Sequence, residues 1–273
     1  MKKIGILFLG LISAFSFSQN TRFVYQVSMK TDSTAAPKIE NAYLDISTEK
    51  SIFYGEKRMK RDSTIRQAME NRNFNFDRNS MEQFRTAITY SIEKNHATKT
   101  ISYKDRIARD QYWYDEDRTF NWKILPETVK IGEYETQKAE TTFAGRKWFA
   151  WFTQDLPFID GPYKFSGLPG LIVKVEDEKG DYSFDLKETK KIAELPNFES
   201  RFGNNIKVKR SEFLKQQEKF NKDPMSFFQN QGGGFAMRMG GNQNPQNEAE
   251  RRKMMEERLK EEAKANNNPL EKN

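Results

Sequence analysis

From Phe23 onward, bulky apolar side chains return at every second position in one short run after another, a period that only β-strands can use. Phe23, Tyr25, Val27 and Met29 share one side of the first run. Ala42, Leu44 and Ile46 share one side of the next, and Ser51 to Tyr54 forms a short third. The alternation resumes at Thr86, Ile88, Tyr90 and Ile92. It continues through Ile101 and Tyr103, Tyr112 and Tyr114, and Phe120, Trp122 and Ile124. Lys147 to Phe152 is apolar on both sides: Trp148, Ala150 and Phe152 face one way, Phe149 and Trp151 the other. Leu171 to Val175 and Tyr182 to Leu186 are predicted to form a hairpin through Asp177–Asp181, with Gly180 supplying the permissive backbone. Turn signals fall between the runs at a spacing of roughly 8–12 residues, and the connections are too short for parallel crossovers. The expected fold is mainly β: a curved antiparallel sheet or partly open barrel, with one or two packed helices and a disordered C-terminal tail.

Two stretches read as helix in the body. Asp62 or Ser63 can cap a short helix to Arg72 inside the polar stretch 57–82, and Ser211 can cap another to Asn221, ended by Asp223-Pro224. Residues 229–247 are rich in Gln, Asn and Gly. Such a composition buries too little apolar area to offset its ordering entropy, so disorder is expected there. Residues 248–265 are charged and helical in character, with Glu248/Arg252 and Glu256/Lys260 as i,i+4 pairs. The chain thus divides into 1–18, a single β-rich domain over 19–228, and a tail over 229–273.

Residues 1–18 read as an export signal. Lys2 and Lys3 precede an apolar stretch from Ile4 to Ile12, and Ser16-Phe17-Ser18 offers small residues where a signal peptidase reads. The stretch is shorter than the roughly 20 residues a membrane anchor needs. No Cys follows it, which excludes a lipoprotein. Periplasm or cell surface is the expected location, with no transmembrane span in the mature chain. The charge of +7 includes the two leader lysines and is scattered, without the basic stripe of a nucleic-acid binder.

Gly167-Leu168-Pro169-Gly170-Leu171-Ile172 stands apart from the alternating runs. Pro169 and Gly170 suit the central positions of a type II turn launching a buried strand, and Gly167 would let the backbone pass close to a neighbour. The string resembles the signature of the GLPGLI family, exported proteins of Bacteroidetes-type bacteria. Ala139, Thr141-Thr142-Phe143, Gly145-Arg146, Ala150 to Thr153, Pro157, Gly161-Pro162 and Val173 to Asp177 extend the resemblance. It implies an exported, soluble, β-rich body in an envelope setting; members often sit in gene neighbourhoods with outer-membrane transport components, which suggests a partner role. It implies no established activity and no catalytic residues.

The chemistry-bearing residues are few. The chain has one histidine, His96, and no cysteine, so a His/Cys zinc site lacks ligands and a Ser-His-Asp triad would need His96. Polar flanks make His96 a turn residue. Asp115, Glu116 and Asp117 lack the ligand spacing of a calcium loop. No catalytic residue, cofactor or metal is assigned. Trp148, Trp151, Phe152, Tyr163 and Phe165 are the candidates for an apolar groove. The leading expectation is a binding or accessory protein, not an enzyme, offering that groove to an apolar ligand or an envelope protein. The alternative is a hydrolase using Asp155, Asp160, Glu176 and Asp177.

Overall fold

The computed structural model describes residues 20–72, 83–198, 203–229 and 245–272. The expected export signal 1–18, part of the polar stretch 57–82 and most of the Gly/Asn/Gln run 229–247 lie outside the described residues. The body is one twelve-stranded sheet, ordered β12-β6-β5-β4-β3-β2-β1-β11-β10-β9-β8-β7 and not closed into a barrel. Its strands are β1 (Asn20–Met29), β2 (Lys38–Ile46), β3 (Lys50–Gly55), β4 (Ser91–Asn95), β5 (Ile101–Ile107) and β6 (Asp110–Asp115) in one half. The other half holds β7 (Lys123–Ile131), β8 (Tyr134–Phe143), β9 (Arg146–Thr153), β10 (Leu171–Asp177) and β11 (Tyr182–Ile192), while β12 (Asn205–Lys207) pairs with β6 at the edge. Every pairing is antiparallel except β12 with β6. The predicted hairpin forms with Val175 opposite Phe184.

Alternation decides which side chains go inside. Phe23, Tyr25, Val27 and Met29 join Leu44, Phe53, Ile92, Tyr103, Tyr114, Trp148, Phe152 and Phe184 in a single apolar cluster. Strands from both halves contribute to it because the sheet curves around a plug, the β9–β10 connection of residues 154–170. That connection is far longer than a hairpin turn. It carries Tyr163, Phe165 and Leu168 into the concavity, each at most 3% exposed. Tyr25 Oη donates to the Ile172 carbonyl at 2.6 Å, tying the first strand to the exit of the plug. The convex face has a smaller cluster of Val24, Tyr43, Ile52 and Tyr54.

Among the described residues four helices accompany the sheet: α1 (Glu56–Glu70), α2 (Arg210–Lys222), α3 (Pro224–Gln229) and α4 (Pro245–Lys264). α1 begins directly after β3, upstream of the expected caps Asp62 and Ser63. α2 buries Phe213 against Tyr103 and Tyr114, at centroid separations of 5.5 and 5.3 Å. Among the described residues no helix is long and apolar enough to cross a membrane.

Three local departures from the period-two reading have physical causes. Residues 86–90 do not enter the sheet, because Glu40 accepts from the Thr86 hydroxyl (2.5 Å) and the Ala87 amide (3.0 Å) in place of a ladder partner. Phe120 and Trp122 precede β7 and turn inward onto Phe143 and Phe165. At the Gly-Leu-Pro-Gly string, the Gly170 amide bonds the Leu168 carbonyl at 2.8 Å, closing a tighter turn about Pro169 than the expected type II. The close approach falls on Gly170 and not on Gly167. A Cβ on Gly170 would stand 2.0 Å from the Thr153 carbonyl oxygen, and its φ is +144°.

Candidate functional site

The ends of β2 and β4, the start of β5, the segment after β6 and the plug meet at one end of the sheet. They surround a cleft of about 940 Å³. In an antiparallel order these termini must fall at the same end, so the cleft follows from the topology. Its walls are apolar: Ile46 and Ile101 from the sheet, Phe120 from the segment after β6, and Pro157, Phe158 and Ile159 from the plug. Phe158 is braced edge-on against Phe23 at 5.4 Å, whereas Ile159 is 68% exposed and forms an apolar lip.

The polar part of the cleft is a buried ion pair with a histidine at its rim. Lys94 and Asp160 have side chains 5% and 4% exposed, with Nζ 2.5 Å from Oδ1. Lys94 also donates to the carbonyls of Gly161 (2.5 Å) and Phe165 (3.0 Å), so its three protons are all engaged. The Gly161 amide donates to the same carboxylate at 2.7 Å. Burial pushes the Lys94 ammonium down from its ordinary value. Burial pushes the Asp160 carboxyl up, but Lys94 and His96 outweigh it and leave it below the usual carboxylate range.

His96 lies in the β4–β5 turn, as its polar flanks predicted, with its Nε2 3.8 Å from Asp160 Oδ2. Its Nδ1 is 3.2 Å from the Thr48 carbonyl, which makes Nδ1 the proton-bearing nitrogen in the neutral ring. A second proton would then point at Asp160. That interaction, together with the Thr48 carbonyl, overcomes partial burial and raises the His96 pKa. Lys99 lines the same rim.

In the cleft wall, Arg118 grips Glu116 with two parallel bonds of 2.7 and 2.9 Å, and Lys164 bonds Glu116 at 2.6 Å; Asp117 lines the same wall. Burial opposes ionisation of Glu116, but these cations bring its pKa down to about 2.

Of the five aromatics predicted to line a groove, Trp148, Phe152, Tyr163 and Phe165 are buried in the core, and Trp151 is half-buried on the opposite face of β9. The cleft lies beside this aromatic core, lined by other residues. The four carboxylates of the hydrolase alternative do not converge. Asp160 is committed to Lys94, and Asp177 to Arg146 at 2.7 Å. Glu176 pairs with Lys174, and Asp155 is exposed. Among the described residues no cluster of three or more His, Asp or Glu side chains is arranged to hold a metal. The Lys94–Asp160 pair escaped the sequence reading because 66 residues separate its members.

A family model described as a protein of unknown function (Porph_ging) matches residues 141–174, which run from the end of β8 through the plug into β10. Asp160, Lys164 and the Gly-Leu-Pro-Gly turn all lie within that stretch. No curated protein matches the chain by sequence. Among solved structures, two crystal forms of PNGF-II are similar. The first has a TM-score of 0.51 and 19% identity over 72% of this chain, and the second 0.52 and 18% over the same share. The match spans about a third of PNGF-II's own length, 33% and 32% respectively, and at this identity it is a likeness of fold. The LolA superfamily protein NE2245 from Nitrosomonas europaea aligns with a TM-score of 0.28 and 10% identity, over 66% of this chain and 88% of that one.

Proposed function

We propose that this chain is an exported binding or accessory protein of the GLPGLI type, and that the cleft at the end of the plug holds an amphipathic ligand with an anionic head. The observation that carries this reading is one cavity of about 940 Å³ in which apolar walls meet a polar rim where His96, Lys99 and Arg118 outnumber the carboxylates Glu116 and Asp117. Pockets for small ligands are largely apolar with a few placed polar groups, and this volume lies in their usual range. The acyl part of the ligand would lie along Phe120, Phe158 and Ile159, with its head at His96 and Lys99. Lys94 and Asp160 neutralise one another and fix the plug's carbonyls, so they form the floor without offering a net charge. Binding is favoured over hydrolysis because each carboxylate near the motif is exposed or held by its own cation.

The leader 1–18 supports export to the periplasm or cell surface, with the mature chain starting near Gln19. The test is a titration of the mature chain with laurate, followed by tryptophan fluorescence. Trp122 donates to the Ser166 carbonyl on the cleft wall at 2.9 Å and reports occupancy. Saturable one-to-one binding is expected, weakened about tenfold by Ile159→Asp, which removes an exposed lip without touching the core. Dodecyl maltoside should bind more weakly than laurate. Absence of saturable binding, or an Ile159→Asp variant that binds as well as wild type, would overturn the reading. Substrate turnover abolished by Asp160→Asn in a folded chain would replace it with the hydrolytic alternative.

A further inference from the structure

Residues 266–272 follow α4 and return to the body, where they lie across the β1–β2, β8–β9 and β10–β11 turns. The contacts are those of a peptide read by its main chain and a few side chains: Asn267 accepts from the Ser33 amide at 2.9 Å and donates to Asp32 at 3.0 Å, Leu270 packs on the core, and Asn268 and Glu271 reach furthest into the body. Asn268 is buried; its carboxamide accepts from Arg146 at 2.6 Å and donates to the Lys30 carbonyl at 2.8 Å. Its backbone carbonyl accepts from Tyr182 Oη at 2.6 Å. Arg146 goes on to donate to the carbonyls of Pro269 and Leu270, at 2.8 and 3.0 Å. Three positions after Asn268, Glu271 accepts from Lys164 and Tyr163 at 2.6 Å each and from Arg118 at 2.7 Å. The Lys272 amide bonds the Ala144 carbonyl, and Gly145 makes room for it: a Cβ there would stand 2.7 Å from the Lys272 oxygen.

The body keeps its own counter-charges for every cation the segment touches. Arg146 has Asp177 at 2.7 Å and Asp181 at 3.4 Å, and Lys164 and Arg118 both have Glu116. Withdrawal of the segment would therefore not strand a buried charge without a partner, as removing half of an isolated pair would. What it would leave is two cations over one carboxylate at the Glu271 position, and an arginine with donors to spare at the Asn268 position. That vacancy suits an extended Asn-Pro-apolar-acidic segment. α4, which leads into residues 266–272, carries its ion pairs largely within itself, as Lys253–Glu257, Arg258–Glu262 and Lys260–Glu256.

We propose that the Arg146–Lys164 face is a peptide-binding site, that residues 266–272 are its resident ligand in cis, and that the same segment of a second copy can take their place. Extended peptides are recognised elsewhere by this division of labour between main-chain bonds and a few side-chain contacts. The site shares Arg118 and Glu116 with the cleft wall, but the proposal does not rest on a ligand being bound there.

The experiment uses the full mature chain. A fluorescein-labelled peptide of residues 265–273 is titrated onto wild type and onto Asn268→Ala/Glu271→Gln, with anisotropy as the readout. The variant should bind the peptide saturably. Wild type should bind it about tenfold or more weakly, since a tethered competitor acts at a local concentration of about millimolar. Adding Arg146→Ala to the variant should remove binding. A folded variant that ignores the peptide, or that binds it without Arg146, would overturn the proposal. Should the variant fail to fold, a protease site placed among residues 233–242 of wild type gives a second readout. After cleavage, excess peptide should displace the fragment on size exclusion, and a fragment retained against excess peptide would overturn the proposal.

Discussion

Replacing Asp160 with Asn should be among the most damaging single changes in the chain, and its cost should depend on pH in a stated direction. The substitution keeps the size of the side chain and removes its charge, leaving the Lys94 ammonium in a site where both partners are about 95% covered. Breaking a buried pair from one side costs about 3–5 kcal/mol, a large share of the roughly 5–15 kcal/mol that holds a domain folded. Lys94 keeps the Gly161 and Phe165 carbonyls, so the loss should fall near the lower end. Lys94 can also relieve the strain by shedding its proton, since burial already pushes its pKa down. In the variant the unfolded chain would then bind more protons than the folded one, between the depressed folded pKa and the ordinary lysine value. Stability therefore rises with pH across that window, and the gap to wild type narrows. Urea unfolding at about pH 7 and about pH 9.5 measures both quantities, with a slope of about 1.4 kcal/mol per pH unit as the ceiling for one proton. Lys94→Met/Asp160→Asn should recover much of the loss at neutral pH. A deficit under about 1 kcal/mol at pH 7, or one that does not change with pH, would refute the assignment of this pair as a buried ionic floor.

Other consequences are open to simpler assays. Gly170→Ala should prevent folding or cost several kcal/mol, because the new methyl would meet the Thr153 carbonyl, whereas Gly167→Ala, with φ +93° and open space, should cost only about 1 kcal/mol of backbone strain. Circular dichroism melts of the two variants decide this. Glu116 has its folded pKa depressed to about 2, so its stabilisation is complete above the ordinary glutamate value of 4.5 and is lost as pH falls toward about 2. The loss is on the order of 3 kcal/mol, and Glu116→Gln should flatten that part of an acid-unfolding curve. His96 has a raised pKa, so its contribution is present below its ordinary value of 6.5 and fades as pH climbs through the folded value. His96→Gln should remove that near-neutral step from stability and from laurate affinity alike.

The sheet was legible because period two is a local signal. Phe23 to Met29, Ala42 to Ile46 and the Leu171/Tyr182 hairpin each declare a strand and its inner face within a few residues. Where alternation misled, a distant group had intervened: Glu40 reaches Thr86 across 46 positions and holds it out of the sheet. The aromatic set shows the same limit. Alternation separated Trp148 from Trp151 correctly by face, but it could not reveal that the β9–β10 connection fills the concavity over Trp148 and Phe152. The candidate site was less legible for the same reason. His96 could be placed in a turn, while its neighbour Asp160 comes from the plug. Glu271 sits in a polar C-terminal run that reads as tail, and its partner Lys164 is 107 residues away.

His96 is the chain's one histidine, so its ring C–H resonances in an untagged protein report on the cleft without ambiguity. Those resonances are followed by NMR across a pH titration, with and without saturating laurate. Occupancy of the cleft predicts a shift of both resonances on binding and a further rise of the His96 pKa, because an anionic head would join Asp160 in favouring the imidazolium. Saturable laurate binding that leaves the His96 resonances and pKa unmoved would contradict the cleft as the binding site.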